Sequence, residues 1–287
     1  MGQLTTSQQI RALAVVYGVR KATVDPARLR SRLERLYRDL FASSARIAIA
    51  DAIADLRGMD SPTSAESVSV VMDNLERKLG VANLGSTLVD QATIVVRDLY
   101  ASGARAVRSG YKLTVIDRRS IDIIANHETI WIKHHNMADL LPKFRSATIE
   151  VMEQGYSRAR LGEALAESLG GIVDADEHYW RGLANHTASK AQEIGRITGF
   201  EAAGIVRVRV ANPSPVSDIC KEMVGRTIEV SHLVRQRDRI LSADNREDLQ
   251  AAMILPKAAP PEESMPTGFG IPPYHYNCKT TLLAEVL

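Results

Sequence analysis

Apolar residues recur at spacings of three and four over the first two-thirds of the chain, which is the period of an amphipathic α-helix. The clearest stripe begins after Asp25-Pro26, where an N-cap residue precedes a proline suited to the first helical position. This helix is predicted to run to Gly58, a residue type common at helix C-termini. Its apolar positions are Leu29, Leu33, Leu36, Tyr37 and Leu40.

Further helices are predicted in close succession, bounded by prolines, glycines or polar cap residues. Pro142 is expected to end or break the longest of them, because proline lacks the N–H that a helix interior needs. The pair Gly170-Gly171 predicts a hinge-like break between two helices. The predicted spans are Ser61 to Gly80, Ser86 to Val107, Arg118 to Leu141, 143–154, 158–169 and 174–202.

The pattern changes after Gly204. Residues 205–210 alternate apolar and basic side chains, which predicts a half-buried strand, and residues 226–230 predict a second short strand. Residues 231–273 are charged and then rich in proline and glycine, which predicts a loop or an arm that orders against a partner.

The order of these elements predicts a fold class and a division of the chain. The fold is expected to be α+β and predominantly α-helical, with a helical region at residues 1–171. A small C-terminal α+β module is expected at residues 172–287. That module is predicted to contain short antiparallel strands and a long Pro/Gly-rich loop.

Composition agrees with a helical protein and argues against one that coats nucleic acid. Aromatic residues make up only 5% of the chain, and the formal net charge is only +2. A basic strip at residues 97–119 is interpreted either as a solvated helix face or as a contact to packaged DNA that weakens steeply with salt. Its charged residues are Arg97, Arg105, Arg108, Lys112, Arg118 and Arg119, against Asp98 and Asp117.

Cysteine content and the first residues bear on the compartment. Cys220 and Cys278 are too few for a disulfide scaffold. Residues 1–21 lack the basic-then-apolar order of a secretion signal, and Gly2 is not interpreted as a myristoylation site. No apolar run approaches the roughly 18 residues that a membrane span needs. The sequence therefore predicts a reducing, soluble compartment and no membrane partner.

Motifs of common enzyme classes are absent from the sequence. His127-Glu128 resembles the start of a zinc-protease helix, but Trp131 stands where the second histidine is required. His134 and His135 are predicted to be interfacial or surface residues. Neither a phosphate-binding P-loop nor a Gly-x-Ser-x-Gly nucleophile elbow is present. No catalytic residue is assigned, and the chain is not expected to be an enzyme.

One constellation of reactive residues remains. Cys220 follows the first predicted strand, and His275 and Cys278 form a His-x-x-Cys pair towards the C-terminal end. Two thiols and an imidazole are ligand types that zinc takes, so these residues are candidate metal ligands. Alternatively, they hold the module together as a thiol pair and a hydrogen-bonded histidine, without metal. Candidates for a fourth ligand are His186, His232, Asp218 and a water molecule.

Three segments that include these residues form a recognisable order. Residues between 183 and 205 give a helix and a glycine turn. Residues 208–226 give a strand, an Asp/Ser-rich turn, a cysteine and a Gly-Arg pair, and residues 272–282 begin with Pro-Pro-x-His-x-x-Cys-Lys-Thr. Together they resemble the core module of phage Mu F-like head morphogenesis proteins, in which the position of Lys279 is usually arginine. The resemblance covers a little over a third of the chain.

The resemblance implies a minor capsid protein of a tailed phage or prophage, assembled in the bacterial cytoplasm and located in the virion head. Its implied partners are the portal protein or the major capsid protein, during head assembly and DNA packaging or delivery. Many family members carry a second cysteine at the positions of Met223 and Thr280. Because each half keeps one cysteine here, Cys220 and Cys278 are expected to be neighbours. An alternative hypothesis is a metal-dependent hydrolase or toxin-type effector built on the same module, which needs a bound metal and a general base.

Overall fold

The computed structural model describes residues 25–59, 65–79, 81–253 and 269–285. Its architecture is predominantly helical with a small antiparallel sheet, which confirms the predicted fold class. None of the described helices combines the length and the apolar character that crossing a bilayer requires. In chain order the elements are α1 (Pro26–Arg57), α2 (Ala65–Leu79), α3 (Val81–Val107), α4 (Val115–His135), a π-helical turn (Asn136–Leu140), α5 (Leu141–Glu153), α6 (Arg158–Ala175), α7 (Glu177–Ala202), β1 (Arg207–Ala211), α8 (Asp218–Met223), β2 (Thr227–Glu229), α9 (Val230–Ser242), α10 (Arg246–Met253) and β3 (Thr281–Ala284).

The chain divides into two compact units, each assembled from segments that are distant in sequence. Among the described residues, unit 1 contains those up to Leu33 together with Ala92–His127 and those from Gly182 onwards. Unit 2 contains Glu34–Gln91 and Glu128–Arg181. The residues of the C-terminal module that carry the candidate ligands therefore belong to the same unit as the end of α3 and the start of α4.

The two predicted helix breaks have different outcomes. The regular α-helix is interrupted before Pro142: α4 ends at His135, the π-helical turn follows, and Pro142 lies in the first turn of α5, where no backbone N–H is needed. The break predicted at the glycine pair was wrong. Gly170 and Gly171 lie inside α6. The helix continues through the glycine pair because a buried apolar stripe runs across it, and burial outweighs the low helix propensity of glycine. The stripe consists of Leu165, Leu169 and Val173.

The segment predicted to be a long loop begins with two helices, α9 and α10, so that prediction was wrong for residues 231–253. Gln236 is fully buried and connects three pieces of backbone. Its Nε2 donates to the Ala252 carbonyl oxygen at 3.3 Å, and its Oε1 accepts from the Ile271 amide at 2.9 Å. The charged residues that suggested a loop include exposed side chains of these two helices, namely Arg235, Asp238, Arg239, Glu247 and Asp248. Residues 254–268 and the predicted helix start at Ser61-Pro62 lie outside the described residues.

The sheet has the strand order β2-β1-β3, with β1 antiparallel to both neighbours. The predicted strands correspond to β1 and β2, whereas β3 was not predicted because its four residues show no alternation of apolar and polar side chains. On the exposed face, Arg207 and Arg209 each lie 3.6 Å from a carboxylate oxygen of Glu285. The buried face consists of Val208, Val210, Ile228 and Leu282.

In unit 1, the buried carboxylate of Asp117 connects α3 to the start of α4. It accepts hydrogen bonds from the hydroxyls of Tyr100 at 2.7 Å and Tyr111 at 2.8 Å. It also accepts from the amide of Thr114 at 2.7 Å, while the Thr114 hydroxyl oxygen lies 3.2 Å from the Asp117 amide, forming a reciprocal cap. This cap places the start of α4 at Val115, three residues before the predicted start.

We expect Asp117→Asn to lower the free energy of unfolding at neutral pH by about 2 kcal/mol, because a charged acceptor shared by several buried donors is lost. Burial alone would raise the pKa of Asp117, but its hydrogen bonds outweigh burial and hold the pKa below its ordinary value. A depressed folded-state pKa stabilises above the unfolded-state pKa, and the gain is lost as the pH falls through the folded-state pKa. Denaturant unfolding in a series of increasingly acidic buffers should therefore show the wild-type and variant curves converging. Asp122→Asn, at an exposed position of the same helix, is the control; parallel curves for Asp117→Asn would contradict the expectation.

Candidate functional site

Cys220 is positioned by the short helix α8, which follows β1. The Ser217 hydroxyl oxygen caps α8 by accepting a hydrogen bond from the Cys220 amide at 3.3 Å. After the helix, Gly225 turns the chain at a φ of 90°, a conformation that favours glycine, and its amide donates to the Val210 carbonyl oxygen at 2.9 Å. The capped helix and the turn leave Cys220 only 1% exposed.

His275 and Cys278 lie in a turn that leads into β3. The Cys278 amide donates to the His275 carbonyl oxygen at 3.2 Å, and Asn277 between them has a φ of 60°. Asn185 on α7 donates from Nδ2 to the Asn277 side-chain oxygen at 2.9 Å. The turn buries Cys278 and leaves His275 half-buried.

The structure brings together the three residues that the sequence singled out. Cys220 Sγ lies 3.1 Å from His275 Nε2 and 3.6 Å from Cys278 Sγ, and the three potential ligand atoms all lie within 4.8 Å of one another. The two cysteines are free thiols and close neighbours, as the resemblance implied. Thr280 Oγ1 stands 3.3 Å from Cys220 Sγ. We refer to Cys220, His275, Cys278 and Thr280 as the thiol cluster.

Hydrogen bonding fixes which nitrogen of His275 faces the thiols. His275 Nδ1 lies 2.7 Å from the Tyr276 carbonyl oxygen, which only accepts, so Nδ1 donates and Nε2 is the nitrogen that faces Cys220. Burial disfavours the Cys220 thiolate, but hydrogen bonds from neighbouring polar side chains outweigh burial and lower the pKa of Cys220. Burial raises the pKa of Cys278. Cys220 is therefore the more acidic of the two thiols.

Within the described part of the chain, none of the residues considered as a fourth ligand joins this group. Asp218 is exposed and forms an ion pair on its own helix. The Nε2 of His232 lies 2.7 Å from the Phe269 carbonyl oxygen. Burial, aided by a nearby lysine, lowers the pKa of His186 to about 3, so this histidine is neutral. The polar atom beside the three ligands is instead the hydroxyl of Thr280.

The strand that follows Thr280 is fastened to α7 by Glu193. Its Oε1 accepts from the Thr281 hydroxyl at 2.7 Å and its Oε2 accepts from the Leu282 amide at 3.1 Å. Arg196 Nε donates to Oε1 at 3.2 Å. Both carboxylate oxygens are therefore engaged, so this buried acid is not free to act as a general base. Glu193 was not identified from the sequence, because a glutamate within a long helix gives no signal of a distant strand.

The other histidines considered from the sequence lie elsewhere. His127 is buried with its Nε2 2.9 Å from the Ala243 carbonyl oxygen, and burial lowers its pKa to about 4. His134 is half-buried. His135 was predicted to be an interfacial or a surface residue; it is 5% exposed and hydrogen-bonded to two carboxylates, so only the surface alternative was wrong. An i,i+4 carboxylate partner was visible in the sequence, but the second carboxylate comes from a distant helix boundary.

The basic strip at residues 97–119 presents its basic side chains to solvent. All six of its lysine and arginine side chains are exposed, whereas Asp117 is buried, which leaves Asp98 as the acidic residue on the surface of this stretch. Val115 and Ile116 beside it are 79% and 78% exposed. The surface is thus more basic than the sequence count indicated, and contact with DNA through it stays a prediction.

Comparison of the chain with protein-family models, with curated proteins and with solved structures gives no match. The relation to Mu F-like proteins is therefore a resemblance carried by the three segments themselves. Those segments supply α7 from residue 183 onwards, the stretch from β1 through α8, and the turn into β3, and these parts of the chain belong to unit 1.

Proposed function

We propose that this chain is a minor capsid protein of a tailed phage or prophage, which acts in head morphogenesis by associating with the portal protein or the inner capsid. The observation that carries the proposal is the contact between the three segments that resemble the Mu F-like module. Glu193 from the first segment binds Thr281 and Leu282 of the third, and Cys220 from the second lies against His275 of the third. Segments of one shared module are expected to meet, whereas chance matches in separate segments have no reason to.

The surroundings of the thiol cluster support a structural role. A cavity of 730 Å³ is lined by residues of α1 and α2, and another of 390 Å³ is lined by residues of α1, α6 and the start of α7. Neither is lined by Cys220, His275 or Cys278. The polar side chains of the cluster bond to each other and to backbone, as expected where they hold segments of a scaffold together.

The alternative function, a metal-dependent hydrolase or toxin-type effector, is favoured only by the ligand types in the cluster. Hydrolysis at such a centre also requires a general base that reaches a metal-bound water. Glu193 has both oxygens engaged, and His186 is buried. The exposed basic strip suits packaged DNA as an additional partner inside the head.

The proposal predicts a physical complex with head proteins. The tagged chain would be co-expressed with the portal protein and the major capsid protein encoded in the same genome, then purified through its tag and by size exclusion. We expect portal or capsid subunits to co-elute at the size of an assembly. We also expect mass spectrometry of purified particles to detect the chain in heads, and portal, terminase and capsid genes to lie beside its own.

A pair of variants tests whether the C-terminal module is needed for this complex. Glu193→Ala removes the contact from α7 to β3 and should reduce co-elution, while Glu163→Ala, at an exposed position of α6, should not. Elution of the chain alone in the presence of both head proteins, together with its absence from particles, would overturn the proposal.

A further inference from the structure

Three side chains from two distant segments of the chain lie within the reach of one metal ion. A tetrahedral zinc site, with Zn–S near 2.3 Å and Zn–N near 2.0–2.1 Å, places its ligand atoms about 3.5–3.8 Å apart. Cys220 Sγ and Cys278 Sγ are 3.6 Å apart, and Cys220 Sγ and His275 Nε2 are 3.1 Å apart. To admit the ion, the edge from Cys220 to His275 would lengthen by a few tenths of an ångström. The edge from His275 Nε2 to Cys278 Sγ, which is at most 4.8 Å, would adjust to the same spacing. We propose that Cys220, His275 and Cys278 bind one zinc ion that has a structural role.

The histidine is already oriented as a metal requires. Its Nδ1 lies 2.7 Å from the Tyr276 carbonyl oxygen and donates to it, so Nε2 is the nitrogen that faces the thiols and would coordinate the ion. Metal-bound histidines commonly donate their other N–H to a carbonyl or a carboxylate, because that contact orients the ring and fixes the tautomer.

The fourth position falls on the side of Thr280. Its hydroxyl oxygen lies 3.3 Å from Cys220 Sγ and accepts a hydrogen bond from Asn212 Nδ2 at 3.0 Å. Asn212 and Thr280 are both buried, so the oxygen has a fixed place beside the three ligands. The coordination sphere is completed by this hydroxyl or by a water molecule bound to it. A sphere of two thiolates, an imidazole and an oxygen suits zinc.

Zinc at this point would join two parts of the chain that are far apart in sequence. Cys220 belongs to α8, and His275 and Cys278 belong to the turn before β3, with residues 254–268 between them. Since the ligands are assembled only in the folded chain, zinc binding adds to the stability of the fold. This inference does not rest on the proposed role in head assembly, which needs no metal.

The test begins with metal content. Protein without a histidine tag would be purified under a thiol reductant and without chelator, incubated with zinc and dialysed. We expect one zinc per chain by inductively coupled plasma mass spectrometry, and a higher thermal midpoint with zinc than after chelation. Cobalt titration should produce thiolate-to-cobalt charge-transfer absorption. Failure of the reduced, folded protein to retain zinc would overturn the proposal.

Matched variants identify the ligands. His275→Gln and Cys278→Ser should each lose the cobalt absorption, whereas His232→Gln, a histidine of the same unit that bonds to backbone, should retain it. Thr280→Cys supplies a third thiolate and is expected to tighten zinc binding by roughly tenfold or more in competition with a chromophoric chelator. That variant keeps the test valid if a ligand deletion fails to fold. Retention of full zinc by His275→Gln and Cys278→Ser, with no tightening in Thr280→Cys, would refute the assignment.

Discussion

Gly195→Ala is expected to lower the free energy of unfolding by about 3 kcal/mol or more, because it forces two helices of unit 1 apart. A Cβ at Gly195 on α7 would lie 2.1 Å from the Tyr100 carbonyl oxygen and 2.8 Å from its carbon on α3. At the neighbouring contact, a Cβ on Gly103 of α3 would lie 1.9 Å from the Gln192 carbonyl oxygen of α7. The obstructing atoms are backbone atoms of regular helices, so no side-chain rotation relieves the overlap.

Gly182→Ala is the matched control, since it makes the same substitution on the same helix and in the same unit. A Cβ there would lie 3.5 Å from the Tyr276 ring, which is an ordinary van der Waals contact. We expect this variant to be neutral or stabilised by about 0.5–1 kcal/mol, because alanine has the higher helix propensity. Denaturant unfolding followed by circular dichroism measures both. Equal stability of the Gly195→Ala and Gly182→Ala variants would show that the close crossing of α3 and α7 is not required.

The two glycines at this crossing illustrate which parts of the fold were predictable. The N-cap at Asp25-Pro26 and the apolar stripe after it identify α1, because those signals act within a turn of the residues that carry them. Gly195 carries no such local signal, since its role depends on a backbone atom of another helix. At Gly170-Gly171 the opposite holds. The glycine pair is a local signal for a helix break, but buried side chains on either side keep the helix intact.

The candidate site also combines residues that the sequence identifies with residues whose role only the fold reveals. Cys220, His275 and Cys278 stand out from the sequence because thiols are rare in this chain and the three residue types are those of a metal site or a thiol clamp. Thr280 was noted only as a position where related proteins carry a cysteine, and Glu193 was not identified, because each acts through a contact with a segment far away in sequence. Residue type thus identified the reactive side chains, whereas the groups that orient them could be recognised only in the folded structure.

His135→Leu is expected to lower the free energy of unfolding by about 3–5 kcal/mol, because it leaves a carboxylate buried in unit 2 without its partner. His135 Nε2 lies 2.8 Å from an Asp176 side-chain oxygen, and the Asp176 side chain is only 7% exposed. His135 Nδ1 lies 2.9 Å from Asp139, whose side chain is 53% exposed. Each ring nitrogen of His135 therefore faces a carboxylate.

Because Asp176 is buried and Asp139 is exposed, further variants can show which contact of His135 accounts for the lost stability. Asp139→Asn should change the free energy of unfolding by less than about 1 kcal/mol, because the Asp139 side chain is 53% exposed and solvent weakens its contact with His135. The double variant His135→Leu/Asp176→Leu should be more stable than His135→Leu alone, since an apolar pair replaces an unpaired buried charge. The ring of His135 also stacks on Tyr179 with centroids 3.4 Å apart, and this contact is lost equally in the single and double variants. A double variant no more stable than the single one would assign the loss to stacking and packing rather than to the buried carboxylate.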